Sequence, residues 1–225
     1  MCGRFTLRVP AGLLVEEFGL AAEPVLSPRY NIAPTQNVPV IRAADETSAK
    51  RCDLLRWGLV PSWADDPAIG NRMINARGET VAVKPSFRAA FSKRRCLVPA
   101  DGYYEWRTTG DGKQPYFFHL DGDRPFVFAG LWESWQSPDG SPLETFVIIT
   151  TNANEQTLPY HDRMPVVLRG SATDQWLHRQ ASRDQLLELL QSRPWDDLVI
   201  EPVSKLVNNP RNDRPECVQP LSTSE

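Results

Sequence analysis

The chain has 225 residues, 41% of them hydrophobic, and a formal net charge of −3 at pH 7. That is enough apolar material for a real core in one large domain or two small ones. The net acidity argues against a protein that coats nucleic acid indiscriminately, and no apolar run is long enough to cross a membrane as a helix.

The segment after Arg4 is broken by Arg8, Pro10 and Gly12 before an apolar run develops, so no signal peptide is expected and the expected setting is the cytoplasm. Ala11–Phe18 reads as a short amphipathic helix. Val38–Arg42 and Leu54–Val60 read as strands. Pro85 can open a helix in which Phe87, Ala90 and Phe91 share a face. Four further strand-like runs follow: Tyr116–Leu120, Phe126–Leu131, Phe146–Thr151 and Pro165–Leu168. Thr173–Gln180 is a third helix. Ser182 and Gln185 then have capping-box spacing ahead of Leu186, Leu187, Leu189 and Leu190. Leu198–Val203 is the last strand.

These strands do not alternate regularly with helices, so a parallel doubly wound sheet is not indicated. Twenty prolines point to short elements joined by ordered loops. The expectation is an α+β fold: one domain over residues 1–220 with a curved, mainly antiparallel, barrel-like sheet and peripheral helices. The tail after Cys217, residues 221–225 above all, is expected to be flexible.

Cys2, Cys52, Cys96 and Cys217 are widely spaced and form no CxxC pair, which argues against zinc and against a disulfide framework. Cys52, Cys96 and Cys217 are expected to be buried and inert. Charge is unevenly placed. Residues 72–107 hold Arg72, Arg77, Lys84, Arg88, Lys93, Arg94, Arg95 and Arg107 against Glu79, Asp101 and Glu105. Arginine also outnumbers lysine 20 to 5. That bias suits phosphate and base contacts, and equally suits codon bias in a GC-rich genome.

Four clusters can carry chemistry. Removal of Met1 would leave Cys2 with a free α-amine beside its thiol. Such an amine titrates near 7.7–8.0, and Arg4 is placed to lower the thiol pKa. A 1,2-aminothiol condenses with an aldehyde and closes to a thiazolidine, or takes an acyl group as a hydrolase nucleophile. The alternative is that Cys2 is merely the first encoded residue. Asn75 and Arg77 can bind polar and anionic groups, or serve as a turn asparagine and a surface arginine. Asp101 and Glu105, set among Tyr103, Tyr104 and Trp106, offer a carboxylate of raised pKa, or a turn and an exposed strand residue. His161, in the run His161-Asp162-Arg163-Met164-Pro165, can move protons near neutrality or stabilise its loop. His119 reads as structural and His178 as a solvated surface residue. Trp57, Trp63 and Trp106 flank these clusters and can stack on unpaired bases, although most of the seven tryptophans read as core.

Taken in order, Cys2-Gly3-Arg4-Phe5, Tyr30-Asn31-Ile32-Ala33-Pro34, Trp57-Gly58-Leu59-Val60-Pro61-Ser62-Trp63, Asn75-Ala76-Arg77 with Glu79-Thr80, Asp101-Gly102 with Tyr104-Glu105-Trp106, and His161 to Pro165 resemble the SRAP (SOS-response-associated peptidase) family. Pro202-Val203-Ser204 and Val207-Asn208-Asn209 extend the resemblance to about Pro220. It implies a monomeric single domain whose positive cleft holds single-stranded DNA, nucleoid-associated on damaged DNA in the SOS response. The mature Cys2 would crosslink to the ring-opened aldehyde of an abasic site, with AP-lyase activity or self-processing of Met1 as accompanying reactions. Asn75 would hold the amine or the sugar, Glu105 would move protons, and His161 would shuttle a proton at a sugar hydroxyl. Arg4, Arg77 and Arg163 would bind phosphates, with Trp63, Trp106 and Thr150 also at the DNA. Pro39 and Val40 fall where a wedge loop would separate strands. No metal, cofactor or membrane is implied. Two other functions stay open: a Cys2-dependent peptidase or amidohydrolase with His161 as base, and a non-catalytic single-strand binding module.

Overall fold

The computed structural model describes residues 2–44, 49–110 and 112–221. Thirteen strands and five α-helices are found among them: β1 (Phe5–Leu7), α1 (Ala11–Phe18), β2 (Arg29–Ile32), β3 (Asn37–Ala43), β4 (Lys50–Trp57), β5 (Asn75–Arg77), α2 (Gly78–Val81), α3 (Arg88–Lys93), β6 (Arg95–Ala100), β7 (Gly102–Thr109), β8 (Gly112–Leu120), β9 (Phe126–Gln136), β10 (Pro142–Asn152), β11 (Arg163–Pro165), β12 (Val167–Leu168), α4 (Ser171–Leu177), α5 (Arg183–Glu188) and β13 (Leu198–Pro202). Strands β10, β4, β3, β6 and β9 pair in that order, and β9 pairs back onto β10. This closes a five-stranded barrel. It is mixed, because β10 runs parallel to β4 while the other four contacts are antiparallel. Closure removes the exposed edges that an open sheet would leave.

A second, antiparallel sheet in the order β13-β8-β7-β1-β2 covers the barrel. Phe5 of β1 meets Trp57 of β4 edge-on at 5.1 Å and Phe128 of β9 at 5.8 Å. Tyr103 of β7 stacks on Phe118 at 4.7 Å and meets Phe128 at 6.1 Å. Residues alternate across a strand, so Tyr104 and Trp106 face the other way. There Tyr104 joins Phe117, Val203, Val207 and Cys217 in a small second core. The same alternation puts Glu105 on the Tyr103 side, between sheet and barrel. This single feature of β7 delivers a carboxyl to the interior.

The α+β class and the barrel-like, mainly antiparallel architecture expected from the sequence are observed. The boundaries differ for physical reasons. The strand expected over Leu54–Val60 stops at Trp57, because Gly58 takes φ +126° and passes so near Gly70 that a Cβ would lie 2.5 Å from its carbonyl oxygen. The strand expected over Pro165–Leu168 is two strands: Val166 donates to Ile149 of β10 and accepts from Ala129 of β9, so the chain changes partner there. Pro85 lies in a turn, and α3 begins only at Arg88. Helix α4 runs two residues earlier and ends three earlier than expected. Both bonds of the Ser182–Gln185 capping box are made.

The tail is tethered further than expected. Leu221 donates to Pro202 at 2.8 Å, and Pro220 bridges Val203. Residues 222–225 lie outside the described residues. Of the thiols expected to be buried, Cys96 and Cys217 are, while Cys52 is partly exposed. Arg95 has no role at a surface. It is 7% exposed and donates to the carbonyls of Phe91, Ser92, Trp176 and His178, capping the ends of α3 and α4.

Candidate active site

Cys2 stands just before β1 and is fully buried. The strand after it fixes its place. Phe5 and Thr6 pair with Tyr103 and Gly102 of β7. The buried Asp101 carboxylate accepts from Thr6 Oγ1 (2.5 Å), from the backbone N–H of Arg8 and Val9, and from Arg8 Nε (3.0 Å). Asp101 is therefore a clamp on the N-terminal strand, which excludes it as the acid–base group of its cluster.

Three further groups converge on Cys2 and the cleft beside it. Asn75, the first residue of β5, donates from Nδ2 to the Cys2 carbonyl at 2.8 Å. Its Oδ1 is buried with no hydrogen-bond partner among the described residues. Glu105 is 4% exposed, shares its strand face with Tyr103 and sits opposite Tyr116 on β8. Burial in this aromatic setting pushes its carboxyl above the usual carboxylate range. Burial, and then the nearby Glu105 charge, push the Cys2 thiol up. This reverses the expectation that Arg4 lowers the thiol pKa. The Arg4 guanidinium turns away, and its carbonyl oxygen lies 4.0 Å from Cys2 Sγ.

His161 precedes β11 and lines a cleft of about 420 Å³ with Glu105, Trp106, Lys113 and Asn208. Its Nδ1 is 3.0 Å from the Arg163 backbone nitrogen and 2.7 Å from Asp162 Oδ1. One proton cannot serve both contacts. The neutral ring, protonated at Nε2, accepts from Arg163, whereas the imidazolium donates to Asp162. Burial holds the pKa below the ordinary histidine value, favouring the neutral form at pH 7. A residue with two stable bonding states is suited to passing a proton on.

The residues expected at DNA divide sharply. Arg77 is exposed at the start of α2, and Trp63 is 59% exposed in a turn. Trp106 is partly buried, with Nε1 donating to Asn208 Oδ1 at 2.7 Å. Arg4 and Arg163 are already engaged within the protein. Arg4 donates to Val207 O (2.7 Å), Asn31 Oδ1 (3.0 Å) and Asn208 O (3.4 Å). Arg163 forks onto Glu79 at 2.5 and 2.9 Å and also reaches Asn152 and the Thr150 carbonyl. Both brace the site. Thr150 is fully buried beneath Arg163 and reaches Ala76 O from Oγ1. Pro39 and Val40 lie buried inside β3, paired with Leu54 and Asp53, so they form no wedge loop. Trp57 is fully buried core, stacked near Phe146, and cannot meet a base.

Sequence reasoning assigned no role to Asn31 or Asp213. Asn31 Nδ2 donates to the carbonyls of Val207, Asn209 and Asn212, and Asp213 accepts from the backbone of Tyr30 and Asn31. Together they strap the C-terminal segment onto β2 and build the Asn208 wall of the cleft. The quoted Tyr30-Asn31 and Val207-Asn208-Asn209 runs were the available signal. Tyr103 was also missed. Its hydroxyl is buried with no partner among the described residues. An unpaired buried hydroxyl is costly, so Tyr103→Phe is expected to raise stability by about 1 kcal/mol, read as a higher urea midpoint with an unchanged m-value.

The architecture thus defines an α+β barrel protein with a polar site centred on a buried cysteine next to the chain's start, opening on one cleft. The chain matches the SOS response associated peptidase (SRAP) family model over residues 1–210, and it belongs to that family, as its motif order implied. It is 44% identical to the abasic site processing protein YoqW of Bacillus subtilis, over 97% of this chain and 99% of the relative. It is 36% identical to the abasic site processing protein HMCES of Gallus gallus, over 86% of this chain and 66% of the relative. A crystal structure of a protein from Bacteroides thetaiotaomicron superposes with a TM-score of 0.88 at 27% identity, covering 98% of this chain and all of that one.

Proposed function

We propose that this chain processes abasic sites in single-stranded DNA by joining Cys2 covalently to the opened sugar. The observation that carries the reading is the convergence of Cys2, Asn75 and the high-pKa Glu105 beside the His161 cleft, in a family whose relatives are named for abasic-site processing. Loss of Met1 exposes the Cys2 amine. Protonated Glu105 supplies the proton that opens the sugar ring, and neutral His161 handles the proton of a sugar hydroxyl. The amine adds to the C1′ aldehyde, and water leaves as the imine forms. The Cys2 S–H then adds across the C=N bond: sulfur bonds to C1′ and the proton goes to nitrogen through Glu105. The product is a thiazolidine, and the only by-product is one water.

The elevated thiol pKa bears on the order of events. A buried, protonated thiol is a poor first nucleophile, so the amine attacks first and the thiol closes the ring. The same elevation weighs against a thiol peptidase, which needs its thiolate at the outset. Intact mass spectrometry tests the proposal. Purified protein mixed with an aldehyde-bearing abasic oligonucleotide should gain the mass of that oligonucleotide less one water, starting from a chain that lacks Met1. Unmodified protein, or cleavage of added peptides in its place, would refute it.

A further inference from the structure

We infer that Lys113 is a phosphate ligand at the Glu105–His161 cleft, binding a backbone phosphodiester of single-stranded DNA beside the lesion. The inference rests on the abasic-DNA reading and adds a contact that neither the motifs nor the family relationship assigned.

Two of the three arginines expected to hold phosphates are bound within the protein. Arg163 is 9% exposed and its charge is matched by Glu79, while Arg4 is held by three protein oxygens. The third, Arg77, is exposed but is not among the residues that line the cleft. Lys113 is the one cationic side chain among the described residues lining the cleft. It is exposed, and its ammonium forms no hydrogen bond or ion pair among the described residues. It stands near the tip of the β7–β8 hairpin, where Thr108 pairs with it. Two residues on, Pro115 pairs with Trp106, so strand alternation sets Lys113 and Trp106 on one sheet face. A stacking surface and a cation then lie side by side, as a sugar–phosphate chain with an unpaired neighbouring base requires. Lys113 also acts on the site at a distance, since its positive charge is one of those that disfavour the imidazolium of His161. An ammonium on a flexible stem suits a mobile strand, acting as a point charge and not as a planar fork.

The test uses a single-stranded oligonucleotide carrying a tetrahydrofuran abasic analogue, which has no aldehyde and so reports binding alone. Wild type, Lys113→Gln and Lys113→Arg are titrated across a salt series. For Lys113→Gln, the slope of log K against log salt should fall in magnitude by about 0.7, the increment for one single-strand phosphate contact. Its affinity at low salt should drop several-fold, and Lys113→Arg should keep the wild-type slope. A Lys113→Gln protein with wild-type slope and affinity would overturn the inference. A wild type that neither binds this oligonucleotide nor forms an adduct with the aldehyde form would instead overturn the functional reading beneath it.

Discussion

Replacing Cys2 by alanine should remove the denaturation-resistant adduct with abasic single-stranded DNA and leave a weaker, reversible one. The variant keeps its α-amine once Met1 is gone, so an imine with C1′ can still form. It has no sulfur to close the ring, and an imine returns to aldehyde and amine when water adds back. Gel electrophoresis after denaturation should therefore show no adduct, while borohydride reduction before denaturation should restore a band. The loss is chemical, not structural. Cysteine and alanine differ by one sulfur in a packed site, which costs roughly 1 kcal/mol, well within what a domain tolerates. A wild-type yield of stable adduct from Cys2→Ala would show that the thiol takes no part. Absence of the borohydride-trapped band would show that the amine is not first to attack.

How much of this was legible beforehand depended on the kind of signal. All seven strands expected from β-branched and aromatic runs exist, because a strand that packs on both sides announces itself by composition. Five were missed. β1, β2 and β5 are only three or four residues long, too short for alternation to register. β6 and β7, between Arg95 and Thr109, are interrupted by Arg95, Pro99, Glu105 and Arg107. Arg95 and Asp101 are buried there, satisfied by carbonyls at the ends of α3 and α4 and by the N–H groups of Arg8 and Val9 just after β1, partners that no local window contains. The site shows the same divide. The aromatic neighbours of Glu105 in sequence pointed to a raised pKa but left an exposed strand residue equally open. Its burial between sheet and barrel decides the matter. That Arg4 and Arg163 brace the protein did not follow, because their acceptors lie 203 and 84 residues away. Motif order placed every such residue near the site, but only geometry separates a free guanidinium from an engaged one.

Glu105→Gln should slow crosslinking by about 10²-fold or more, the scale of a lost proton-transfer group, while binding to the tetrahydrofuran analogue changes little. Two effects of this substitution oppose each other, and the rate decides between them. Glu105 is protonated over a wider pH range than an ordinary carboxyl because burial raises its pKa. It can therefore donate a proton to the sugar ring and later carry one from thiol to nitrogen. Glutamine does neither, which slows every step that moves a proton. Yet whenever Glu105 is ionised its charge also helps to hold the Cys2 thiol protonated, second only to burial. Removing that charge lowers the thiol pKa and favours ring closure. Burial persists in the variant, so the thiol stays above its ordinary value and this gain is small beside the loss of a proton carrier. The pH profile carries the sign. In the wild type, crosslinking should rise as the Cys2 amine deprotonates and fall as Glu105 loses the proton it donates, giving a bell. The variant should keep the rising limb and lack the falling one. Crosslinking at or above the wild-type rate would mean that Glu105 chiefly burdens the thiol, and its role in moving protons would have to be abandoned.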